Sequence, residues 1–512
     1  GGMLTACGVD LQNPPRLATA TAQAAVPLAT RSNLLELVAP TNTPEAGGTE
    51  NPTFALTEEI TPSTSFEGEG LTIWVDETSP EHRRVLSEIT GEFADRYGVN
   101  VAVQLVSPAL LPDLAATGVL SDTLPDLIMH PIEYTAGWVQ EGILDAAAAD
   151  AVIDRLGPNR FDPEALKLLS VDGQTAAIPS DGYYQLLLYR ADWFKERGLA
   201  SPDTYAAVAT AAERIYDPEA VISGLVIPTE SNLVTTHQAF EQIALADGCR
   251  LIDENGEVTI LDPVCHEAIE HYFTTINRFS PSGVQTDTSA AIAFLTGRTG
   301  MIVTSTAILP DLAGLNPSAV PTCDECDQVE GGVNYLAHNT GIITEISGPN
   351  GGPTAFGNIR SLGITTSANR ELAQAFAEFW FNEGYERWLA VDSERKVPLQ
   401  LGTIDEPRRF IDAWGTTPLS DSGLSLTDIY GDEVVAQLRE GIASAPRWGL
   451  REGYGGLMTR LYDDFVISIV LQEMLSGYFD TEITLREAYR RTVDLIPNYG
   501  FPDRLAEEIE EP

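Results

Sequence analysis

The sequence predicts an α/β fold built on an open β-sheet. Three observations predict it: a short apolar run with strand preference at 71–75, apolar residues at helical spacing over 85–97, and an alternating run at 99–105. The order strand, helix, strand implies parallel pairing with right-handed crossovers. A hydrophobic share of 43% is enough for a sizeable core. At roughly 150 residues per domain, the length suggests two to four folding units.

The boundaries of these first elements follow from local signals. Ser79 and Pro80 supply an N-cap and a first-turn proline, and Gly98 ends the helix that they begin. After a short helical piece, the apolar run at 125–129 makes a third strand. In open α/β sheets, ligands bind beyond the carboxyl ends of the strands. The polar residues at that edge are therefore candidate ligand contacts: Asp76, Glu77, Thr78, His130, Glu133 and Tyr134.

Several of these candidates also have a purely structural interpretation. In one interpretation, the acids after the first strand cap a helix and do not contact ligand, because the positive end of a helix dipole favours nearby carboxylates. His130 precedes a proline and can be an ordinary loop side chain. The sequence alone leaves both interpretations open.

The charge balance excludes one class of partner. The chain holds 75 acidic and 30 basic residues, which gives a formal net charge of −45. A surface this negative repels phosphodiesters, so we expect no nucleic-acid partner. The longest apolar run, at 465–471, is far too short to span a bilayer, so we do not expect an integral membrane protein.

The first residues resemble the end of a bacterial lipoprotein signal peptide. The segment Leu-Thr-Ala-Cys at 4–7 matches the lipobox of that family, in which the cysteine carries a diacylglycerol. We therefore expect residues 1–6 to be a signal remnant and Cys7 to anchor an exported protein to a membrane, at the cell surface or in the periplasm. The alternative is an ordinary cysteine near the start of a fragment.

A tether is predicted to follow the anchor. Residues 8–70 are rich in Ala, Thr, Pro, Ser and Glu and lack sustained apolar periodicity. Such a segment cannot bury enough surface to offset its ordering entropy, so it is expected to be flexible, with an end-to-end distance on the order of 45 Å. We assign 1–70 to the signal remnant, the lipidated cysteine and this linker, and the acidic run 506–512 to a solvated tail.

The other four cysteines predict two disulfides. An even number in an exported chain is typical of structural bridges, and four cysteines can pair in three ways. We favour Cys249–Cys265, which clamps the turn at 254–256, together with Cys323–Cys326. A redox CxxC motif or half of a zinc site is the alternative for the second pair. Its Pro- and acid-rich surroundings, and the absence of a second CxxC in the sequence, argue against zinc.

The sequence carries no catalytic signature. It contains no GxSxG, HExxH or GxxxxGK[ST] motif and no GxGxxG after a strand. Its six histidines are scattered singly, without an assembled acid/base or nucleophile–base set. We therefore expect a binding protein and not an enzyme, with no cofactor and no metal.

Five segments, in the same order, resemble extracellular solute-binding proteins of ABC importers, and more narrowly their carbohydrate-binding, maltose-binding-like branch (family 1). The resemblance covers roughly residues 71–400. The segments are an apolar–proline pair and strand at 178–194, Gly-Leu and Pro-x-Thr-Tyr at 198–205, Ala-Asp-Gly at 246–248, a stretch with Phe294, Gly297 and Met301 at 290–302, and a return strand and helix at 362–380.

The resemblance implies a bilobal periplasmic-binding-protein fold, with two open sheets flanked by helices and a ligand cleft between discontinuous lobes. It assigns 71–181 and 356–402 to lobe 1, and 182–355 and 403–505 to lobe 2. Ligand binding then favours a closed state that the permease subunits of the importer recognise. We expect such a receptor to be a monomer.

The resemblance also implies polar ligand contacts in the loops that hold Thr78, Glu133 and Tyr183. Glu133 keeps a carboxylate of the family, whereas Tyr183 replaces one and has Asp181 in the same loop. Two aromatic platforms of the family are replaced, which argues against long maltodextrins as ligands. Sugar recognition needs polar groups for hydroxyls and aromatic faces for C–H surfaces. Further candidates of those types are Thr306, Asn358, Arg360, Trp448 and Tyr454.

We therefore predict a lipid-anchored receptor that delivers a sugar or an oligosaccharide to an ABC importer. One alternative keeps the fold but binds a polyamine or another cationic solute. A second is an exported carbohydrate-processing enzyme that uses Glu133 and Asp181 as a carboxylate pair, about 5–10 Å apart. A third is a scaffold or sensor that has lost transport.

Overall fold

The computed structural model describes residues 37–38, 66–419, 423–497 and 499. Cys7, most of the predicted linker and the predicted tail at 506–512 lie outside the described residues. The described residues belong to one unit, 37–512. No helix among them is both long and apolar enough to cross a membrane.

The strands are Leu37–Val38, Gly70–Val75, Asn100–Leu105, Leu127–Pro131, Ser170–Val171, Gln174–Thr175, Ile178–Arg190, Met301–Ser305, Val329–Glu330, Val333–Asn334, Thr340–Ile343, Glu345–Ile346, Thr354–Ile364 and Val397–Pro398. The α-helices are Pro80–Tyr97, Leu111–Ser121, Ile132–Gln140, Ala146–Leu156, Pro163–Leu168, Ala191–Arg197, Tyr205–Ile215, Val234–Ala246, Pro263–Phe279, Asp287–Leu295, Leu309–Leu312, Tyr335–His338, Arg370–Phe379, Tyr385–Leu389, Arg409–Ala413, Leu426–Arg439, Gly455–Asp463, Val466–Leu475 and Thr481–Asp494.

Two long strands organise the fold: Ile178–Arg190 and Thr354–Ile364. They pair antiparallel along most of their length, with a register shift between Arg360 and Ser361. Every residue of Thr354–Ile364 is buried, which explains why its sequence is nearly continuous in apolar and small residues. We call this pair the two long strands.

At one end, the two long strands complete a parallel sheet. Gly70–Val75 lies between Asn100–Leu105 and Leu127–Pro131 and is parallel to both. Leu127–Pro131 in turn pairs antiparallel with Thr354–Ile364. The predicted parallel strands are thus confirmed. Their antiparallel neighbour, more than 200 residues away in the chain, was not predicted from local signals.

At the other end, the strand Ile178–Arg190 gathers the remaining strands. Met301–Ser305 and Thr340–Ile343 both pair antiparallel with it. Near its middle it also pairs with the short strand Val397–Pro398. One ten-stranded sheet therefore runs through the molecule, and the two long strands connect its two ends.

Separate hydrophobic cores form along this sheet. One core draws its buried residues from 66–178 and 362–410. A second draws them from 187–346 and 448–493. A third cluster joins residues from several parts of the chain, among them Ile132, Tyr184 and Trp414. Phe66, which the prediction placed in the linker, is buried in the first core.

The local signals of the first helix act as predicted. The Ser79 side chain accepts a hydrogen bond from the backbone N–H of His82, and Pro80 opens the helix. Gly98 ends it in the left-handed conformation, with φ of 69°. The four cysteines in the described residues also occur in the favoured pairs, Cys249 with Cys265 and Cys323 with Cys326, each at disulfide distance.

Two helices that are far apart in sequence pack closely against each other. Ile132–Gln140 contacts Gly455–Asp463, and Gly137 lies directly against Thr459. A Cβ atom on Gly137 would be 2.5 Å from the Thr459 Cβ, so only glycine allows this approach. The Thr459 hydroxyl donates to the carbonyl oxygen of Glu133 at 2.6 Å, which fixes the start of the helix Ile132–Gln140.

Candidate ligand-binding site

A cavity of about 290 Å³ lies beside the middle of the two long strands. Both of these strands contribute to its lining, together with the helix Val234–Ala246 and the segments around 287 and 305. We call it the central cavity. It is lined by Tyr183, Gln185, Pro228, Thr235, Gln238, Asp287, Thr288, Ala291, Val303, Thr304, Ser305, Ala307, Ile308, Asp311 and Phe356.

The two long strands supply one wall of the central cavity. Tyr183 and Gln185 are two residues apart, so their side chains leave the same face of the strand. Phe356 lies opposite Gln185 in the pairing register, and Asn358 lies opposite Tyr183. The Asn358 amide donates to the Tyr183 hydroxyl at 3.3 Å. A phenol, two amides and an aromatic ring are thereby held on rigid backbone.

The helix Val234–Ala246 supplies buried amides to the same place. Gln242 accepts a hydrogen bond from the Gln185 amide at 2.8 Å. Gln238 lines the cavity and donates to a carboxylate oxygen of Glu133 at 3.4 Å. Three buried glutamines are thus joined to one another and to Glu133.

Glu133 is a buried carboxyl group with spare hydrogen-bonding capacity. It lies in the first turn of the helix Ile132–Gln140 and is only 2% exposed. Burial raises the pKa of Glu133, because the charged form loses its hydration. Its second carboxylate oxygen has no hydrogen-bond partner among the described residues. A buried acceptor without a partner costs free energy, which a ligand hydroxyl can recover.

The opposite wall presents hydroxyl and carboxylate groups. Thr304 and Ser305 end the strand Met301–Ser305, and Asp287 begins the helix Asp287–Leu295. The Thr235 hydroxyl donates to Asp287 at 2.8 Å, while burial raises the pKa of Asp287. No lysine, arginine or histidine is among the described residues that line the cavity. The central cavity therefore suits a hydroxylated ligand and disfavours an anion.

Four of the predicted contacts form a separate, buried ionic cluster: Asp76, Glu77, Asp181 and Arg360. Arg360 donates through two nitrogens to one oxygen of Asp181, at 2.9 and 2.7 Å, and through the third to Glu77. The indole N–H of Trp388 donates to the other oxygen of Asp181 at 2.9 Å. Asp181 and Arg360, predicted to contact ligand, instead bind each other across the two long strands.

The pKa values in this cluster follow from burial and from the arginine. Burial raises the pKa of Asp76 to about 7. Burial acts in the same direction on Glu77, but Arg360 and Arg395 outweigh it and lower the pKa of Glu77 to about 2. Lys396 is buried nearby, and this burial lowers its pKa to about 7. These groups are partners in a structural network, since each lies within reach of another member.

His130 and Tyr134 pack around Trp138 and do not line the central cavity. The His130 ring lies 5.0 Å from that of Trp138, and the Tyr134 ring stacks on Trp138 at 5.2 Å. Both residues are nearly fully buried, and burial lowers the pKa of His130 to about 4. His130 therefore packs in the interior as part of the strand Leu127–Pro131, and not in a loop, and its ring contacts Trp138.

The remaining predicted contacts have different placements. Thr78 is exposed after the first strand. Thr306 is fully buried between the lining residues Ser305 and Ala307, and its hydroxyl has no partner among the described residues. Of the predicted set, Tyr183 lines the central cavity. Asn358 donates to the Tyr183 hydroxyl, and Glu133 accepts from the lining residue Gln238, so both lie one hydrogen bond behind the lining.

The two aromatic candidates near the C-terminus lie away from the central cavity. Trp448 is 2% exposed, and its indole N–H donates to the Cys249 carbonyl at 3.0 Å. The Tyr454 hydroxyl lies against Gly256, in the turn between the paired cysteines. Trp448 and Tyr454 therefore anchor loops in the second hydrophobic core. Burying an aromatic ring is favourable, so these rings pack inside and do not form a platform for a ligand.

Sequence reasoning missed Gln185, Gln238, Asp287 and Ser305. Two signals point to the glutamines. Gln185 is the one strongly polar residue in a run of apolar and tyrosine residues at 183–189, and 237–242 places four polar residues in a helix that is buried on all sides. Polar groups in such positions need partners, and a ligand site is one source of them.

A family model for bacterial extracellular solute-binding proteins matches residues 89–395, more than half of the chain. The chain belongs to this family. The predicted resemblance to extracellular solute-binding proteins is thereby confirmed, while its narrower assignment to the maltose-binding-like branch stays a prediction. Among the described residues of this solute-binding protein, no group of three or more His, Cys, Asp or Glu side chains is arranged to hold a metal ion.

Two curated relatives share part of the sequence. The chain is 25% identical over 233 residues to a putative ABC transporter periplasmic-binding protein, YcjN, of Escherichia coli (strain K12), covering 45% of this chain and 54% of that protein. It is 25% identical over 167 residues to a mannitol-binding protein of Pseudomonas aeruginosa, covering 32% and 37%. The chain thus matches about half, or less, of the length of these relatives.

Solved structures share the fold. A solute-binding protein of Agrobacterium radiobacter K84 in complex with ribitol has a TM-score of 0.64 at 18% identity, covering 85% of this chain and 100% of that chain. Maltose-bound MalE3 of T. maritima has the same TM-score and identity, with 84% and 100% covered. This solute-binding protein therefore has the predicted bilobal periplasmic-binding-protein fold. Its main sheet is one continuous ten-stranded sheet and not the two open sheets predicted, because the two long strands connect its ends.

Proposed function

We propose that this protein is the substrate-binding component of an ABC importer, which captures a neutral sugar, sugar alcohol or short oligosaccharide and delivers it to the permease. The observation that carries the proposal is the lining of the central cavity. It combines amides, hydroxyls and carboxylates with aromatic rings, and no basic group is found among its described lining residues. This is the chemistry that a polyhydroxylated, uncharged ligand requires.

The proposed contacts divide by role. Gln238 binds a ligand hydroxyl, because its amide lines the central cavity. Glu133 lies behind it, accepts its hydrogen bond and has a second oxygen without a partner among the described residues, which a ligand hydroxyl can reach when the cavity is filled. Tyr183 adds a hydroxyl, which Asn358 orients. Phe356 supplies an aromatic surface for the C–H face of the ligand. The modest volume of the cavity favours a ligand of one or two sugar units.

The names of similar proteins support this ligand class. One relative is a mannitol-binding protein, and two proteins of the same fold were solved with ribitol and with maltose. Sugars and their alcohols share closely spaced hydroxyls on a neutral carbon chain. The central cavity offers matching donors and acceptors on three of its sides.

We further propose the lobes predicted above, 71–181 with 356–402 and 182–355 with 403–505, as the two parts that close on the ligand. Two separate cores with nearly the same division support the proposal. The two long strands then act as the hinge: Ile178–Arg190 runs from the first core to the second, and Thr354–Ile364, which ends in the first core, pairs with it. The helix Ile132–Gln140 of the first lobe contacts the helix Gly455–Asp463 of the second, so this contact joins the two lobes.

The cellular setting is proposed from the sequence and the family. Cys7 carries a lipid anchor, the protein is exported to the periplasm or cell surface, and it works as a monomer with the permease. Membership of an extracellular family and two cysteine pairs at disulfide distance support export. Mass spectrometry of the protein purified from membranes tests the anchor, since a diacylglycerol on Cys7 adds a defined mass.

A cationic ligand is the second candidate, and one observation favours it. Asp287 and Asp311 line the central cavity, and no basic residue balances them in the lining that the structure describes. A polyamine or an amino sugar would supply that charge. Burial raises the pKa of both carboxyl groups, which weakens their attraction for a cation, so we place the neutral sugar first.

We also propose that the protein performs no glycoside chemistry. The enzyme alternative needs Glu133 and Asp181 as a free carboxylate pair. Both oxygens of Asp181 are instead engaged, one by Arg360 and the other by Trp388 and Ser180. Such a carboxylate is unable to act as a nucleophile or base without breaking the ionic cluster.

Thermal-shift screening tests the ligand class. The probes are mannitol, ribitol, glucose, maltose and maltotriose, with putrescine and spermidine as cationic competitors. A ligand at about 100 times its Kd adds roughly 2.7 kcal/mol to the free energy of unfolding, which raises the Tm measurably. We expect stabilisation by at least one neutral probe. Stabilisation by the polyamines alone would overturn the sugar proposal in favour of the cationic one.

A further inference from the structure

A second hollow, of about 680 Å³, lies outside the central cavity. It forms where three helices end: Tyr205–Ile215, Pro263–Phe279 and Val466–Leu475. The loops at 216–223 and 280–285 complete its rim. We call it the outer hollow. Its volume falls within the roughly 300–1,000 Å³ of pockets that hold drug-sized ligands.

Every described residue that lines the outer hollow is uncharged, and none of them is Asp, Glu, Lys, Arg or His. A much smaller hollow beside Tyr205 and His271 also lacks acids, lysine and arginine, but two larger ones in the described part of the chain are charged. One near 433–440 is lined by four acids, and another near 397–411 by two acids and two arginines. In a chain with 75 acidic residues, an uncharged hollow of this size sets this surface apart.

Free hydrogen-bonding groups face solvent around the outer hollow. Asn277, Ser282 and Ser476 are exposed, and their side chains make no hydrogen bond with the described residues. The three helix ends also bring the negative ends of three helix dipoles to the hollow. Carbonyl oxygens at helix C-termini accept from hydroxyl groups and repel anions.

Apolar side chains complete the lining. Tyr216, Val221 and Val284 are 37%, 70% and 48% exposed, which is high for residues of this kind. Val221 has a φ of 58°, a left-handed conformation that β-branched residues rarely adopt. An exposed tyrosine ring beside free amide and hydroxyl groups matches the two faces of a sugar.

We propose that the outer hollow is a second binding site, which takes a neutral saccharide independently of the central cavity. The two sites are separated by one layer of chain. Thr229 donates its N–H to the Gln285 carbonyl at 2.8 Å, and the Gln285 N–H donates to the Thr229 hydroxyl at 2.9 Å. Both residues line the outer hollow, while Pro228 and Asp287 beside them line the central cavity.

Charge substitutions at exposed positions test the second site. Ser282→Asp with Ser476→Asp places two carboxylates in the outer hollow, and Ser201→Asp is a matched control at an exposed serine elsewhere. Each change is made in the full chain and again in a Gln238→Ala background, which weakens the central cavity alone. Binding of glucose, maltose, maltotriose and mannitol is followed by NMR titration, with circular dichroism to check folding.

We expect the Gln238→Ala protein to retain saturable binding of at least one of these saccharides. The paired Ser282→Asp and Ser476→Asp changes should weaken that binding at least tenfold, and Ser201→Asp should leave it unchanged. Equal affinity in the paired and control variants would overturn the second site, as would the absence of saturable binding in Gln238→Ala. The loss of affinity between wild type and Gln238→Ala reports on the central cavity separately, so the two proposals fail independently.

Discussion

At the scale of single residues, buried polar groups fall into two kinds. Most groups of the ionic cluster bind one another, as Arg360 and Asp181 do, although one oxygen of Asp76 has no hydrogen-bond partner among the described residues. Those near the central cavity keep unused capacity, as Glu133 does. Because an unsatisfied buried group costs free energy, the first kind is expected to support stability and the second to bind ligand.

Gln238→Ala is predicted to weaken ligand binding at least tenfold, which corresponds to about 1.4 kcal/mol. The change removes an amide that lines the central cavity and leaves Glu133 without its donor. Titration calorimetry with the probe selected by thermal shift measures the effect. Gln174→Ala, at an exposed glutamine, is the matched control and should bind like wild type. Unchanged affinity in Gln238→Ala would place the ligand elsewhere.

Glu77→Gln is predicted to flatten the acid limb of the stability profile. The pKa of Glu77 is about 2 in the folded protein against an ordinary value of 4.5. The charged form therefore adds stability that is complete above about pH 4.5 and is lost as the pH falls toward 2. At 1.36 kcal/mol per pKa unit, this amounts to roughly 3 kcal/mol.

Urea unfolding between pH 2 and pH 7 checks this prediction. Glu81→Gln is the control, because Glu81 lies in the same region but its side chain is 57% exposed and it pairs with Arg84 at the surface. The pKa of Asp76 is raised to about 7, so the ionisation of Asp76 lowers the stability of the folded protein as the pH rises from about 4 to 7. An acid limb in Glu77→Gln as steep as in wild type would contradict the assignment.

At the scale of elements, tight packing between helices positions the proposed contacts. Glu133 begins the helix Ile132–Gln140, which touches the helix Gly455–Asp463 through Gly137. The sequence predicted neither the contact nor the need for glycine there, because the partner Thr459 is more than 300 residues away. Helix ends, by contrast, were predicted well where a cap residue marks them, as at Ser79 and Gly98.

Gly137→Ala is predicted to destabilise the protein by about 1–3 kcal/mol, because its Cβ would overlap Thr459. Gly91→Ala is the matched control. It also lies inside a helix, but no atom lies within 4 Å of an added Cβ. There the change should be neutral or stabilising by up to about 1 kcal/mol, since alanine favours the helix. Urea unfolding of both variants measures the difference, and equal effects would contradict close packing at Gly137.

At the scale of the whole molecule, surface charge opposes compactness. A formal net charge of −45 makes acidic groups repel one another across the surface. Salt at about 0.1 M already screens such repulsion beyond roughly 10 Å. The exposed ion pairs of the described part offset little of it, because such pairs contribute only about 0–1 kcal/mol each.

The Tm is therefore predicted to rise by several degrees when NaCl increases from about 0.01 to about 0.5 M at pH 7. Calorimetry or circular dichroism follows the Tm at each salt concentration. The same titration near the sequence pI of about 4.2 is the control, since little net charge remains to be screened there. A Tm at pH 7 that is independent of salt would show that self-repulsion is negligible.

The sequence by itself determined the fold class, the first strands and helix, the favoured cysteine pairing and the family. These features rest on patterns within a few residues, such as the apolar run at 71–75, or on ordered segments that resemble a known family. Its choice of Tyr183, Asn358 and Glu133 as ligand contacts stays a prediction: Tyr183 lines the central cavity, Asn358 bonds to it, and Glu133 bonds to the lining residue Gln238.

Only the tertiary structure decided which polar residues bind one another and which remain free. From local patterns, Asp181 and Glu133 are equivalent acids after apolar segments. In the fold, Arg360 arrives opposite Asp181 through the antiparallel pairing of the two long strands, and Asp181 becomes a structural partner. Glu133 instead meets Gln238 and keeps one oxygen free. Long-range pairing sets these partners, and no local sequence pattern contains that information.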